Sequence, residues 1–378
     1  MSHAPSDALS RRHATVRQAC ASQSLDALVV TSLPNILYLT NFTGSSAIVV
    51  LTADDLHFIT DFRYVTSVME ARGADSECPG LDLVTVGGSY DGTLADLLKT
   101  MPAARVGFEA GNLTVARHAW LTATLGAGDA PTLVATDGLV ERARAVKDDY
   151  ELRTLRQAAA MLSRVVPGAI EEVQRGRSER EIALGIDWRL RREGFTKTAF
   201  DTIVAAGPNS ALPHARPGER TIGENDLVVL DFGGVYDSYC VDLTRTISVG
   251  TADSRAREVY GAVLAAHDLA IAAVRPGASR VSIDAAARDE LTRRGLGEAF
   301  GHGTGHGLGV EVHEDPRVGR PRSDGDTGDD ALVAGMVFTI EPGAYLPGWG
   351  GVRIEDDVVV TVGGVDVLTT AATELIEI

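Results

Sequence analysis

Five side chains able to bind a metal cation follow one another in a single stretch: Asp231, Asp242, His306, Glu341 and Glu355. Four are carboxylates set in apolar, β-prone runs such as Val228-Val229-Leu230-Asp231-Phe232 and Phe338-Thr339-Ile340-Glu341. An ionised carboxylate is costly to bury in such a run unless it is paired or bound to a cation. One aspartate on a strand is usually a surface residue or a salt-bridge partner. Four, joined by an imidazole, call for concentrated positive charge, and two divalent ions would supply it. Oxygen-rich ligation with one imidazole favours Mn²⁺, with Co²⁺ or Zn²⁺ as the other candidates, because a structural zinc site would bring cysteine sulfur. Two such ions can activate one water and polarise a carbonyl, which is machinery for hydrolysis.

His302 stands four residues before His306, in a run with glycine at 301, 303, 305, 307 and 309. Such a run is poor helix; it reads as extended or looped chain that lets backbone approach a ligand closely. With His313 and His214, His302 is a candidate proton carrier or oxyanion donor. His3, His13, His57, His118 and His267 lie outside these motifs and read as structural.

The elements that must position these groups fall into two parts. Residues 1–145 alternate strands (25–30, 47–51, 57–60, 81–86, 105–109) with a helix over 62–72, and a hairpin turn at 52–55. This pattern predicts a small α/β domain. Residues 141–144 read as a charged connector, and Lys147-Asp148-Asp149-Tyr150 opens a long amphipathic helix over about 149–166. The second part, 146–378, repeats its own layout. A helix pair ends at Gly194 and leads to strands holding Asp231 and Asp242; another, opening at 253–274, ends at Gly295 and leads to Glu341 and Glu355. The first helix pair carries a capping box from Ser178 to Glu181. Asp231 and Glu341 are 110 residues apart, Asp242 and Glu355 113, and the two glycines 101. Two α/β halves delivering carboxylates from equivalent strands fold around a pseudo-twofold axis. Residues 233–238 and 342–350 read as the loops joining the paired ligand strands.

The segments Leu-Asp-Phe-Gly, Val-Asp-Leu-Thr-Arg-Thr, Gly-His-Gly, Glu-Pro-Gly and Arg-Ile-Glu-Asp, in this order, resemble the pita-bread metallopeptidases of the Xaa-Pro aminopeptidase and prolidase branch. Thr43-Gly44-Ser45 and Thr60-Asp61-Phe62-Arg63-Tyr64 are similar to the N-terminal domain of that branch. The resemblance implies a duplicated pita-bread catalytic domain after a creatinase/prolidase-like one. It implies Asp231, Asp242, His306, Glu341 and Glu355 as ligands of two metals, with Asp242 and Glu355 bridging. Glu341 would handle the proton of the attacking hydroxide, His302 and His313 would meet substrate and developing charge, and His214 would orient the scissile carbonyl. Arg353 and Tyr345 would support the site. The implied activity is Xaa-Pro aminopeptidase, with Xaa-Pro dipeptidase as the alternative and a non-catalytic binding protein on the same fold as the remoter one. Proline-containing peptides or dipeptides are the implied partners, and a homodimer or higher homo-oligomer the implied assembly. Methionine aminopeptidases usually lack a histidine at the position of His302 and the N-terminal domain, and creatinase lacks the metal ligands, so both are set aside.

The remaining composition narrows the classes. A formal charge of −17 argues against nucleic acid as a partner. Three dispersed cysteines form no disulfide framework and suit a reducing compartment. The polar N-terminus shows no secretory signal and no apolar run is long enough to span a membrane, so the expectation is a cytoplasmic protein. Asp324-Gly325-Asp326-Thr327-Gly328-Asp329-Asp330 glances at a calcium loop, but position 335 is glycine and the stretch reads as a solvated acidic loop.

Overall fold

The apolar runs of the first 144 residues pair into one mixed sheet. The computed structural model describes residues 3–126, 130–321 and 331–378, so the acidic loop at 324–330 lies outside the described residues. The chain divides into two compact units, Met1–Arg144 and Ala145–Ile378. The first runs α1 (Ser6–Ser22), β1 (Ala27–Val30), α2 (Leu33–Thr40), β2 (Ile48–Thr52), β3 (Leu56–Thr60), α3 (Phe62–Glu70), β4 (Leu81–Thr85), α4 (Tyr90–Thr100), β5 (Arg105–Glu109), α5 (Val115–Leu125), β6 (Thr132–Thr136) and α6 (Leu139–Ala145). Its sheet order is β4-β3-β2-β1-β5-β6, antiparallel in the β1-β2-β3 meander and parallel elsewhere. The strands read from sequence and α3 sit within two residues of their expected bounds. Residues 141–144 do not form a connector; they lie in α6. Arg144 donates to Asn35 Oδ1 at 2.6 Å and Asn35 donates to Glu109 and Glu141. The charges that suggested a solvated link belong to a network around the fully buried Asn35.

The second unit runs α7 (Asp149–Glu172), α8 (Glu179–Glu193), β7 (Lys197–Thr198), β8 (Ile203–Ala206), β9 (Leu227–Tyr236), β10 (Tyr239–Ser248), α9 (Ser254–Ala273) and α10 (Arg280–Arg293). It then continues with β11 (Gly305–Gly307), β12 (Glu314–Val318), β13 (Val337–Ile340), β14 (Gly343–Leu346), β15 (Gly350–Arg353), β16 (Asp356–Thr361), β17 (Gly364–Val367) and β18 (Ile376–Glu377). Capping boxes open α7 (Asp148 with Glu151) and α8 (Ser178 with Glu181), and Gly194 ends α8 in the left-handed region at φ 114°. α7 extends past its expected end at 166 and through Pro167. An interior proline costs a helix about 3 kcal/mol. The apolar stripe that continues through the buried Ala169 to Val173 offsets that cost.

Each half packs a helix pair on its strands. Leu155, Leu162, Ile182 and Ile186 of α7 and α8 meet Leu230, Phe232, Val241 and Leu243 in one core. Val259, Val263, Ile283 and Leu291 of α9 and α10 meet Phe338, Ile340, Val352 and Val358 in the other. This is the duplicated pita-bread arrangement expected from the repeat. Both ligand-bearing loops are shorter than expected. β9 and β10 pair in register up to Tyr236↔Tyr239, leaving only Asp237-Ser238 as a turn, at φ 46° and 71°. Two residues with positive φ match the right-handed strand twist, so the strands continue where glycines suggested a loop. Residues 342–350 likewise hold most of a second hairpin, since β14 and β15 pair from Gly343↔Arg353 to Leu346↔Gly350.

Replacing Ser178 by alanine removes the α8 cap that accepts from the Glu181 amide. Urea unfolding of Ser178→Ala should show a loss of about 1 kcal/mol with an unchanged denaturant slope.

Candidate metal centre

Alternation along β9 turns Val228, Leu230 and Phe232 into the helix-covered core, which leaves Asp231 on the opposite face. On β10, Val241 and Leu243 point to the same core and Asp242 and Thr244 point away. Asp231 pairs with Thr244 and Asp242 with Gly233, so the two carboxylates are diagonal neighbours on one face.

Glu341 and Glu355 sit where the second hairpin's ladder breaks. The pairing Ile340↔Asp356 on one side and Gly343↔Arg353 on the other keeps one register across the gap. Within the gap, the Glu341 amide donates to Thr304 O at 2.7 Å and the Glu355 amide to Thr244 O at 3.1 Å. Each glutamate is thereby drawn out of its own hairpin onto a neighbouring segment. Thr244 also donates its hydroxyl to Glu355 Oε2 at 2.6 Å, tying the two halves at the site.

His306 comes from β11, whose backbone lies so close to β13 that a Cβ on Gly305 would stand 1.8 Å from Thr339 O. His306 Nδ1 is 3.1 Å from Gly307 O, so this nitrogen carries the proton and Nε2 keeps its lone pair. Nε2 lies 3.6 Å from Glu341 Oε1 and 3.9 Å from Asp242 Oδ2. One ligand atom from each of Asp242, His306 and Glu355 falls within 4.8 Å of the others. Asp231, Glu341 and these three line one cleft.

A relay of hydrogen bonds supports Asp231. Arg353 donates to Asp231 Oδ2 at 2.5 Å, to Tyr345 Oη at 2.9 Å and to Thr244 Oγ1 at 3.2 Å. Tyr345 Oη is 2.9 Å from His302 Nε2, while His302 Nδ1 is 2.8 Å from Gly303 O. These partners place the His302 proton on Nδ1 and make Tyr345 the donor to Nε2. Burial lowers the His302 imidazole, consistent with this neutral form, and raises the Tyr345 phenol to about 12. The His313 ring is 4.2 Å from that of His306, and His214 and His313 both line the cleft with His302.

Among the four carboxylates, Asp231 is the one bonded to the Arg353 guanidinium, while Arg216 and Arg317 also line the cleft. Burial first, then Glu355, drives the Asp242 carboxyl well above its ordinary range; burial, then Glu341 and Asp231, does the same to Glu355. Burial raises Glu341 against the pull of His302 and Arg353. Asp231 Oδ1 and Asp242 Oδ1 are buried with no hydrogen-bond partner. Orphaned carboxylate oxygens, and an imidazole nitrogen whose lone pair lies near Glu341 and Asp242, fit divalent-cation binding.

Sequence reading missed the layer behind the ligands. Arg245, 2% exposed, donates to Thr244 O, Glu355 O, Ala371 O, Ala372 O and Asp356 Oδ1. His267, read as an isolated structural residue, lies 3.1 Å from Asp356 Oδ2. Burial alone would lower its imidazole, but Asp268 and Asp356 outweigh burial and hold it above its ordinary value. Asp357 accepts from the Asp242 amide at 3.0 Å. The available signal was the run Glu355-Asp356-Asp357, two further carboxylates in an apolar strand.

Comparison with known proteins finds family matches over both units. Residues 153–362 match metallopeptidase family M24 and residues 12–146 the creatinase/prolidase N-terminal domain. An uncharacterised peptidase of Bacillus subtilis is 37% identical over 361 residues, covering 96% of this chain and 98% of the relative. The structure of an Xaa-Pro dipeptidase from Bacillus anthracis superposes with a TM-score of 0.91 at 35% identity, covering 98% of this chain and all of that one. That of an X-Pro aminopeptidase from Thermotoga maritima gives 0.84 at 31% identity, covering 94% and 98%. No helix among the described residues is long and apolar enough to cross a membrane.

A carboxyl raised by folding loses stability as pH climbs from its unfolded value through its folded one. In chelator, Asp242→Asn should therefore raise the melting temperature, with a gain that grows as pH climbs above the ordinary aspartate range. With Mn²⁺ present the sign should reverse, because the wild type alone keeps the ligand. Gly305→Ala should cost about 3 kcal/mol or more in urea unfolding, since neither backbone can yield.

Proposed function

The chain belongs to metallopeptidase family M24, and we propose that it uses two divalent cations to hydrolyse the peptide bond between an N-terminal residue and proline. Asp231, Asp242, His306, Glu341 and Glu355 would hold the ions. Bound there, the cations supply an acidified water and an electrophilic pull on the carbonyl oxygen. The chain's own groups do the rest. Glu341, buried beside His302 and Arg353, takes up the proton lost by the attacking water. His313, whose imidazole is lowered by burial and by His306, is a neutral donor for charge developing on the carbonyl. His214, on the cleft wall, orients that carbonyl, and the Tyr345–Arg353 relay fixes His302 and Asp231.

One observation carries this reading: Asp231 and Asp242 each bury an unpartnered carboxylate oxygen, and both residues line one cleft with His306, His302, His313 and His214. Mn²⁺ as the native ion, cytoplasmic residence and assembly as at least a dimer belong to the same proposal. The three buried, unpaired cysteines support the reducing compartment.

Substrate length divides the proposal into an aminopeptidase and a dipeptidase. A dipeptide ends in a carboxylate immediately after the proline ring, and its capture needs a fixed cation. Arg216 and Arg317 both line the cleft, and this favours the dipeptidase. Asp242→Ala should abolish Mn²⁺-dependent release of free amino acid from Xaa-Pro substrates; retained turnover would refute the assignment. Arg317→Met should raise KM about tenfold or more for Xaa-Pro while leaving Xaa-Pro-Yaa little changed. Equal effects on both would favour the aminopeptidase.

A further inference from the structure

Lys147 stands at the opening of the second unit, far in sequence from the ligands, with its side chain fully buried. Its Nζ donates to Glu314 Oε2 at 3.1 Å, and the Glu314 side chain is only 6% exposed. Desolvating both ions cancels most of their mutual attraction, so such a pair contributes little net stability. What it does contribute is position. The Lys147 backbone is itself fixed, since its amide donates to Gly335 O at 2.9 Å and Val146 bridges to Met336.

Glu314 opens β12 immediately after His313, and its carboxylate turns back into the 308–313 loop. Oε1 accepts from the Glu311 amide at 2.8 Å while Oε2 takes the lysine. Gly309 leaves the room this requires, because a Cβ there would stand 2.9 Å from Glu314 Oε2. The far side of the loop is held by the Cys240 amide, which donates to Gly309 O at 2.7 Å. The loop is thus pinned to β10 at one end and to Lys147 at the other, and it presents His313 against His306.

Resting on the function proposed above, we propose that the buried Lys147–Glu314 pair is a positioning element that sets His313 over the reacting carbonyl. Lys147 touches neither substrate nor cation in this scheme and acts through the loop alone. Removing either charge takes the ion-pair contact away from its buried partner, and the loop escapes by moving that partner towards water.

The test is a cycle of Lys147→Met, Glu314→Gln, His313→Ala and Lys147→Met/His313→Ala, assayed on an Xaa-Pro dipeptide with saturating Mn²⁺. Bound metal and melting temperature are measured on each variant. Lys147→Met and Glu314→Gln should each lower kcat by about tenfold or more with metal content unchanged, and Lys147→Met should add nothing to His313→Ala. Multiplied losses in the double variant, or loss of metal from both single charge variants, would overturn the proposal. So would a Lys147→Met enzyme within about twofold of wild type beside an impaired His313→Ala. Full activity in His313→Ala would instead remove the role given to His313 itself, a distinct failure. Glu314→Gln keeps the side chain's shape, so the proposal stays testable if Lys147→Met folds poorly.

Discussion

Uncompensated negative charge in a buried space is the constraint on which this structure turns. Asp231, Asp242, Glu341 and Glu355 face one cleft, and Arg353 bonds directly to only the first of them. Desolvating several carboxylates opposes folding by more than one guanidinium returns. The fold answers with satisfied donors wherever the ligands themselves are not required to stay open. Thr244 bonds Glu355, Asp357 receives the Asp242 amide, and Arg245 distributes its N–H groups over both halves. Among the ligands, Asp231 Oδ1 and Asp242 Oδ1 are left without partners and are oxygens that cations would take; Asp357 Oδ1, behind them, is a third buried oxygen without one.

The duplicated halves explain how such a cluster can be built from ordinary parts. Each half is a helix pair covering one face of a hairpin, and strand alternation leaves the other face free for polar groups. The second hairpin departs from regularity at one place only, the ladder break that releases Glu341 and Glu355. Because the register resumes beyond the break, the irregularity is local and its lost ladder bonds are replaced by Thr304 O and Thr244 O.

Much of this was legible in the sequence, for reasons that differ by residue. Asp231, Asp242, Glu341 and Glu355 stood out because ionised groups have no inexpensive place in apolar strands. The capping box at Ser178 and the left-handed Gly194 marked α8 because both act within a few residues. α1 was not legible, since Arg12 and His13 share its buried face with Leu9 and Val16 and break the apolar period. The connector reading at 141–144 failed because charge there is answered by Asn35 across more than a hundred residues. Lys147 gave no signal for the same reason, its partner Glu314 lying 167 positions away. Local chemistry was readable; long-range partnership was not.

The break at Glu341 and Glu355 also bears on the order of folding. Both glutamate amides are answered by segments that belong to other parts of the chain, and Thr244 and Glu355 are 111 positions apart. Contacts of such separation carry a large loop-closure cost and come late for that reason. Each helix-covered hairpin can gain its apolar packing early, with the carboxylates still hydrated. The cluster closes only when the halves dock, and cations held there would favour that step.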